Sequence, residues 1–177
     1  MAVIALVAVV AGWTMAQASG RRQAGETVTG ADALPRTATQ EARACIELTS
    51  AEQAGRAVTC YRDVLDRDPD NPTALTYLGW TLVLSAASLP DDTVAQAIGV
   101  GEDFLDRAVE SDPTFAEAYA FRAVIAERQG RIADAKADLD RLDTLDPPPE
   151  VRALTKDLRD RVERALRTTT TATTVPG

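Results

Sequence analysis

The chain contains no histidine. That removes the commonest general base, His-ligated zinc and a protein-supplied imidazole for haem. A Ser-His-Asp arrangement cannot be assembled either, however many Ser and Thr hydroxyls are present. Cysteine is nearly absent as well. Cys45 and Cys60 are the only two, and their spacing is not the C-x-x-C of a redox or metal site. Glycines are scattered, with no phosphate-cradling loop. Positive charge is in deficit: the net charge is −8, with no basic patch, so phosphate neutralisation, and with it nucleic-acid binding, is poorly served. The paired acids Asp91-Asp92 and Asp68/Asp70 sit in turn-forming stretches, where capping and turn formation are their ordinary work. No catalytic set, metal site, cofactor or small-molecule substrate is signalled, and the chain reads as non-enzymatic.

Aromatics are few, and β-branched runs outside the N-terminus are lacking, which leaves an Ala-rich, all-α composition. The length allows one domain with extensions. Residues 2–18, AVIALVAVVAGWTMAQA, are almost wholly apolar and stand at the short limit for a membrane-spanning helix. A cleaved signal peptide competes, since Ala16-Gln17-Ala18 fits a small-residue cleavage site, but a basic segment before the apolar run is missing. Arg21 and Arg22 draw their side towards the cytoplasm under the positive-inside rule, a conflict that a start upstream of Met1 would remove. The anchor is the preferred reading: a single-pass cell-membrane protein with an extracytoplasmic domain. Residues 19–37, small, polar and without periodicity, read as a flexible tether.

Beyond the tether the pattern is helical and repeated. In 116–149 two amphipathic stretches meet at Gly130. Tyr119, Ala123 and Ala126 lie on the first, Ile132, Ala135, Leu139 and Leu142 on the second, and Pro147 closes the unit. Pro113 lies 34 residues earlier and Pro69 a further 44. After Pro69 comes NPTALTYLGWTL, with Leu75, Leu78, Gly79 and Leu82, then a second helix with Gly101, Leu105 and Ala108 delayed by ten residues. The extra length falls at SAASLPDDTV, either a longer loop or a lengthened helix start. A degenerate copy ends at Pro69, with Cys45 at its small-residue position and Ala57, Tyr61 and Leu65 on its second helix. These residues resemble the tetratricopeptide repeat, a 34-residue helix pair of large and small residues with a turn Gly and a terminal Pro. The resemblance implies a solenoid of three helix pairs over 38–149 (38–71, 72–115, 116–149), with a capping helix over 150–167.

In the degenerate copy, Thr49-Ser50 followed by Gln53 reads as a capping box starting a helix that runs to about Asp66. Cys45 and Cys60 fall on its two helices. As a disulfide they would close a loop of about 16 residues, worth ~3 kcal/mol; as thiols they would be small apolar core residues.

The resemblance further implies that the inner wall of the solenoid is lined by one face of each first helix. That face carries Thr73, Thr76, Trp80 and Val83 in the second repeat, and Glu117, Ala120, Val124, Glu127 and Arg128 in the third. Trp80 is a candidate anchor for a partner peptide; packing on a neighbouring helix is the competing role. Co-chaperone members that clamp acidic C-terminal peptides use Lys and Asn where Thr76 and Trp80 stand, so an apolar or amphipathic client fits this face better.

After the Pro-rich stop, Val151, Leu154, Leu158, Val162 and Leu166 form one apolar stripe, as a capping helix requires. The tail 168–177, TTTTATTVPG, reads as structureless. DPDNPTALTYLGWTL and AYAFRAVIAERQGR behind one apolar helix resemble the membrane-anchored repeat proteins of bacterial cytochrome c maturation. That resemblance implies an extracytoplasmic module that holds unfolded apocytochrome c through its C-terminal segment. The alternatives are a general membrane-tethered scaffold in envelope assembly or secretion, and an assembly subunit that oligomerises through its convex face.

Overall fold

The computed structural model describes residues 36–48 and 53–172. The apolar segment 2–18 and nearly all of the tether lie outside the described residues, as do Thr49 and Ser50. Among the described residues no helix is long and apolar enough to cross a membrane. In the described residues seven α-helices follow one another: α1 (Ala38–Cys45), α2 (Ala54–Leu65), α3 (Pro72–Ala86), α4 (Asp91–Ser111), α5 (Ala116–Arg128), α6 (Ile132–Asp143) and α7 (Pro149–Ala172). A 3-10 turn over Ile46–Leu48 extends α1. The order gives three helix pairs and a final helix.

Local chemistry explains most of the boundaries. Thr37 caps α1 through a reciprocal box with Gln40, the Thr hydroxyl accepting from the Gln40 N–H and the Gln40 side chain from the Thr37 N–H. T-x-x-Q is legible in the sequence, and this is the capping box the described residues show. Gln53, in contrast, precedes α2 without a side-chain cap. Asn71 caps α3 by accepting from the Ala74 N–H at 3.0 Å, with Pro72 at the first helical position. At the end of α5, Gly130 takes φ +75°. The Arg131 N–H then reaches the Ala126 carbonyl and the Gly130 N–H the Glu127 carbonyl, the paired bonds of a Schellman ending that favours glycine. The ten extra residues of the second repeat lengthen α4 at its start rather than forming a loop. At the other end of the molecule, α7 runs on to Ala172, into the stretch expected to be structureless.

Packing within a pair is antiparallel. A Cβ on Gly79 would lie 3.1 Å from Leu105, and one on Gly101 would lie 2.5 Å from Val83, so α3 and α4 cross with their backbones in contact. Along α5 and α6, Arg122 meets Asp138 while Arg141 lies over the Tyr119 ring. One arginine ties each of these pairs to the loop before it: Arg107 of α4 donates to the Pro69 carbonyl and Arg141 of α6 to the Pro113 carbonyl, both at 2.9 Å. The first pair is joined covalently by a Cys45–Cys60 disulfide, with Cα atoms 5.8 Å apart.

First helices also lie on first helices, α1 on α3, α3 on α5 and α5 on α7. The last of these contacts closes the core. Val151, Leu158 and Val162 of α7 are buried with Tyr119, Leu139 and Leu142, so the apolar ends of α5 and α6 are covered as a cap requires. Leu154 departs from the expected stripe. Thr155 is buried in its place, bonding back to the Val151 carbonyl at 3.0 Å, and Leu154 is left 48% exposed.

Candidate functional site

The wall built by α3, α5 and α7 contains a cavity of about 300 Å³ lined by Tyr77, Glu117, Ala120, Phe121, Pro148, Glu150, Val151 and Leu154. Tyr77 and Phe121 meet edge to face, with centroids 5.7 Å apart, and form its aromatic side. Tyr77 also stacks on Tyr61 of α2. Burial, and then the carboxylate of Glu117, push the Tyr77 hydroxyl above the ordinary phenol range. Leu154 supplies the opposite apolar side. An exposed leucine lining the same open slot as two aromatic rings is the kind of apolar surface that a partner side chain covers.

The helical stripe read from the sequence reaches this slot only in part. Ala120 is its floor and Glu117 stands on its rim. Thr73, Thr76 and Val124 are buried and do not line this slot, because successive first helices lie side by side and cover the small residues between them. Val124 lies under α7 in the cluster with Leu158, and the Thr76 hydroxyl is buried without a hydrogen-bond partner. Val83 is drawn into the α3–α4 seam against Gly101. Trp80 stacks on Phe121 and is half-buried, so it supports the wall from outside the slot. Glu127 is paired with Arg161 of α7 at 2.8 Å, and Arg128 is exposed at the end of α5. The slot-lining pair missed by the stripe, Tyr77 and Phe121, are the residues next to Thr76 and Ala120. They are separated by 44 residues, the interval between Pro69 and Pro113, so an aromatic recurring at one repeat position was the signal that could have found them.

A second cavity of about 430 Å³ lies among α4, α5 and α6, lined by five acids and two arginines. The arginines are consumed as bridges. Arg122 joins Asp106 at 3.0 Å to Asp138 at 2.8 Å, and Arg131 joins Glu102 to Asp134. Burial pushes the Asp138 carboxyl above the usual carboxylate range against the attraction of Arg122. Among the described residues no cluster of His, Cys, Asp or Glu is arranged to hold a metal ion. The paired acids Asp91 and Asp92 form the first turn of α4, and Asp68 accepts from the Asn71 side chain in the turn before α3.

Residues 102–148 match the family model for the tetratricopeptide repeat. No curated protein matches the chain. Seven chains among solved structures do match. One of them is the first tetratricopeptide repeat domain of Spaghetti (RPAP3), solved bound to the HSP90 peptide SRMEEVD. It is 22% identical with a TM-score of 0.54, and the match covers 73% of this chain and 95% of that one. The described residues therefore have the tetratricopeptide fold, and residues 102–148 match a repeat of that family.

Proposed function

We propose that the chain is a membrane-anchored tetratricopeptide module that holds a polypeptide client in the slot between α3, α5 and α7. The observation that carries this reading is the slot itself: exposed Leu154 lines it together with Tyr77 and Phe121, on the wall built from first helices. The peptide in the Spaghetti structure supports a peptide as the class of client. The Cys45–Cys60 disulfide supports an oxidising, extracytoplasmic setting, with residues 2–18 as the anchor. Within that setting the resemblance to cytochrome c maturation proteins favours the C-terminal segment of apocytochrome c as client.

A photo-cross-linking residue placed at Leu154 in the full chain tests this. An adduct with a synthetic apocytochrome C-terminal peptide is expected from Leu154 and not from Ala137 on α6. Equal labelling from both positions overturns the groove. The second reading, a tethered scaffold for a folded client, draws on a different observation. Leu84, Leu89 and Val100 are exposed along the lengthened α3–α4 pair, away from the slot. A cross-linker at Val100 that captures a folded envelope protein while Leu154 captures nothing would favour it.

A further inference from the structure

The slot is apolar within and acidic at its rim. Glu117 opens α5 and Glu150 opens α7, both line the cavity, and no Lys or Arg lines it with them. Neither acid is ion-paired among the described residues. Elsewhere on the same wall a carboxylate is neutralised: Glu127, towards the end of α5, is held by Arg161 through Nε at 2.8 Å and a second guanidinium nitrogen at 3.4 Å. The exposed cations of the wall's helices include Arg128 of α5 and Arg152, Lys156 and Arg164 of α7, and none of these four lines the cavity. The charge lining the slot is therefore negative.

We infer that the slot selects a segment in which one large apolar side chain is flanked by Lys or Arg, and rejects segments whose flanking residues are acidic. This rests on the groove reading above. The cavity has room for a single Leu-, Met- or Phe-sized anchor, which Tyr77, Phe121 and Leu154 would enclose. A cation beside that anchor would meet the carboxylates at the rim, whereas an acid there would meet two like charges. Both glutamates lie in the first turn of their helices and also complement the helix dipoles. That second role acts on stability and not on ligand charge, so the two are separable by measurement.

Fluorescence anisotropy on the full chain in a non-ionic detergent is the test. Three labelled peptides share one central leucine and differ only in its neighbours, which are Lys-Arg, Gln-Gln or Glu-Glu. The Lys-Arg probe is expected to bind roughly tenfold tighter than the Gln-Gln probe, with the gap shrinking as salt is added, and the Glu-Glu probe weakest. Glu117→Gln with Glu150→Gln should erase the ranking of the three probes, while the lost helix-dipole contribution shows separately as a small fall in Tm. Leu154→Ser should weaken every probe. A ranking that survives the double variant, or a Glu-Glu probe that binds as well as Lys-Arg, overturns the charge rule while the groove stands. Insensitivity of all probes to Leu154→Ser, or no binding by any of them, overturns the groove as well. Sedimentation of the same samples covers the remaining occupant: a dimer that Leu154→Ser dissolves would make a second copy of this chain the partner.

Discussion

The indole of Trp80 lies flat on the ring of Phe121, with centroids 4.6 Å apart and planes 11° from parallel. Phe121 in turn meets Tyr77 edge-on, so α3 and α5 are joined by three rings, of which only Tyr77 and Phe121 face the slot. Trp80 thus holds the wall in place. Trp80→Ala should cost about 3 kcal/mol in urea denaturation, the low end for removing a buried aromatic because the indole is half-exposed. It should weaken peptide binding less than Leu154→Ser does. A loss below 1 kcal/mol, or a larger effect on binding than on folding, would return Trp80 to the groove.

Gly79 and Gly101 face each other across the α3–α4 crossing. A Cβ on Gly79 would sit 2.6 Å from the Gly101 carbonyl oxygen, which is backbone and cannot yield as a side chain does. Gly79→Ala is expected to destabilise by about 2–3 kcal/mol or more, as overpacking does. Gly99→Ala is the control. It stands two residues from Gly101 on the same helix, but its Cβ would meet nothing within 4 Å, and the helix gains about 0.5–1 kcal/mol from losing a glycine. Thermal melts that rank the two variants the other way would show that the backbones do not touch.

Reducing the Cys45–Cys60 bond releases a loop whose ends are 15 residues apart in sequence. In the chain-entropy account this costs ~3 kcal/mol. The loss should fall on the first helix pair, seen as faster hydrogen exchange in α1 and α2 with α5 to α7 little changed. Uniform acceleration across all the helices would mean the solenoid melts as one cooperative unit.

Asp138 should leave a pH signature. Its carboxyl titrates above the usual range because it is buried, Arg122 notwithstanding. The folded state therefore holds that proton more tightly than the unfolded chain. The resulting stability is complete below the ordinary carboxylate value and is lost as pH rises through the folded value. Subtracting the stability of Asp138→Asn from that of the parent removes the other carboxylates, including Glu41, whose bond to Arg67 lowers its pKa. The difference should fall with rising pH across the acid range. A rise instead would show that the attraction of Arg122 outweighs desolvation.

At the far end, Leu158 carries the cap. It is fully buried among residues of α5 and α6, and Leu158→Ala should cost about 2–5 kcal/mol. Leu154→Ala, a few residues earlier on an open surface, should cost little. Equal losses would contradict the rotation of α7 that exposes Leu154.

The sequence by itself determined the helix pairs, their turns and the cap. Proline intervals, Gly130, and small residues opposite large ones are local or periodic signals, and each is enforced within one or two helices. It also placed the two cysteines on the two helices of one pair, where their bond could form. Only the tertiary structure decided which residues the inner wall presents. A helical stripe fixes a direction to within one residue, about 100° of rotation, and the close approach of successive first helices buried Thr73, Thr76 and Val124 and left Tyr77, Phe121 and Leu154 to line the slot. The same approach brought Glu150 of the cap and Glu117 to one slot, a meeting of residues far apart in sequence that no periodicity within a single repeat encodes.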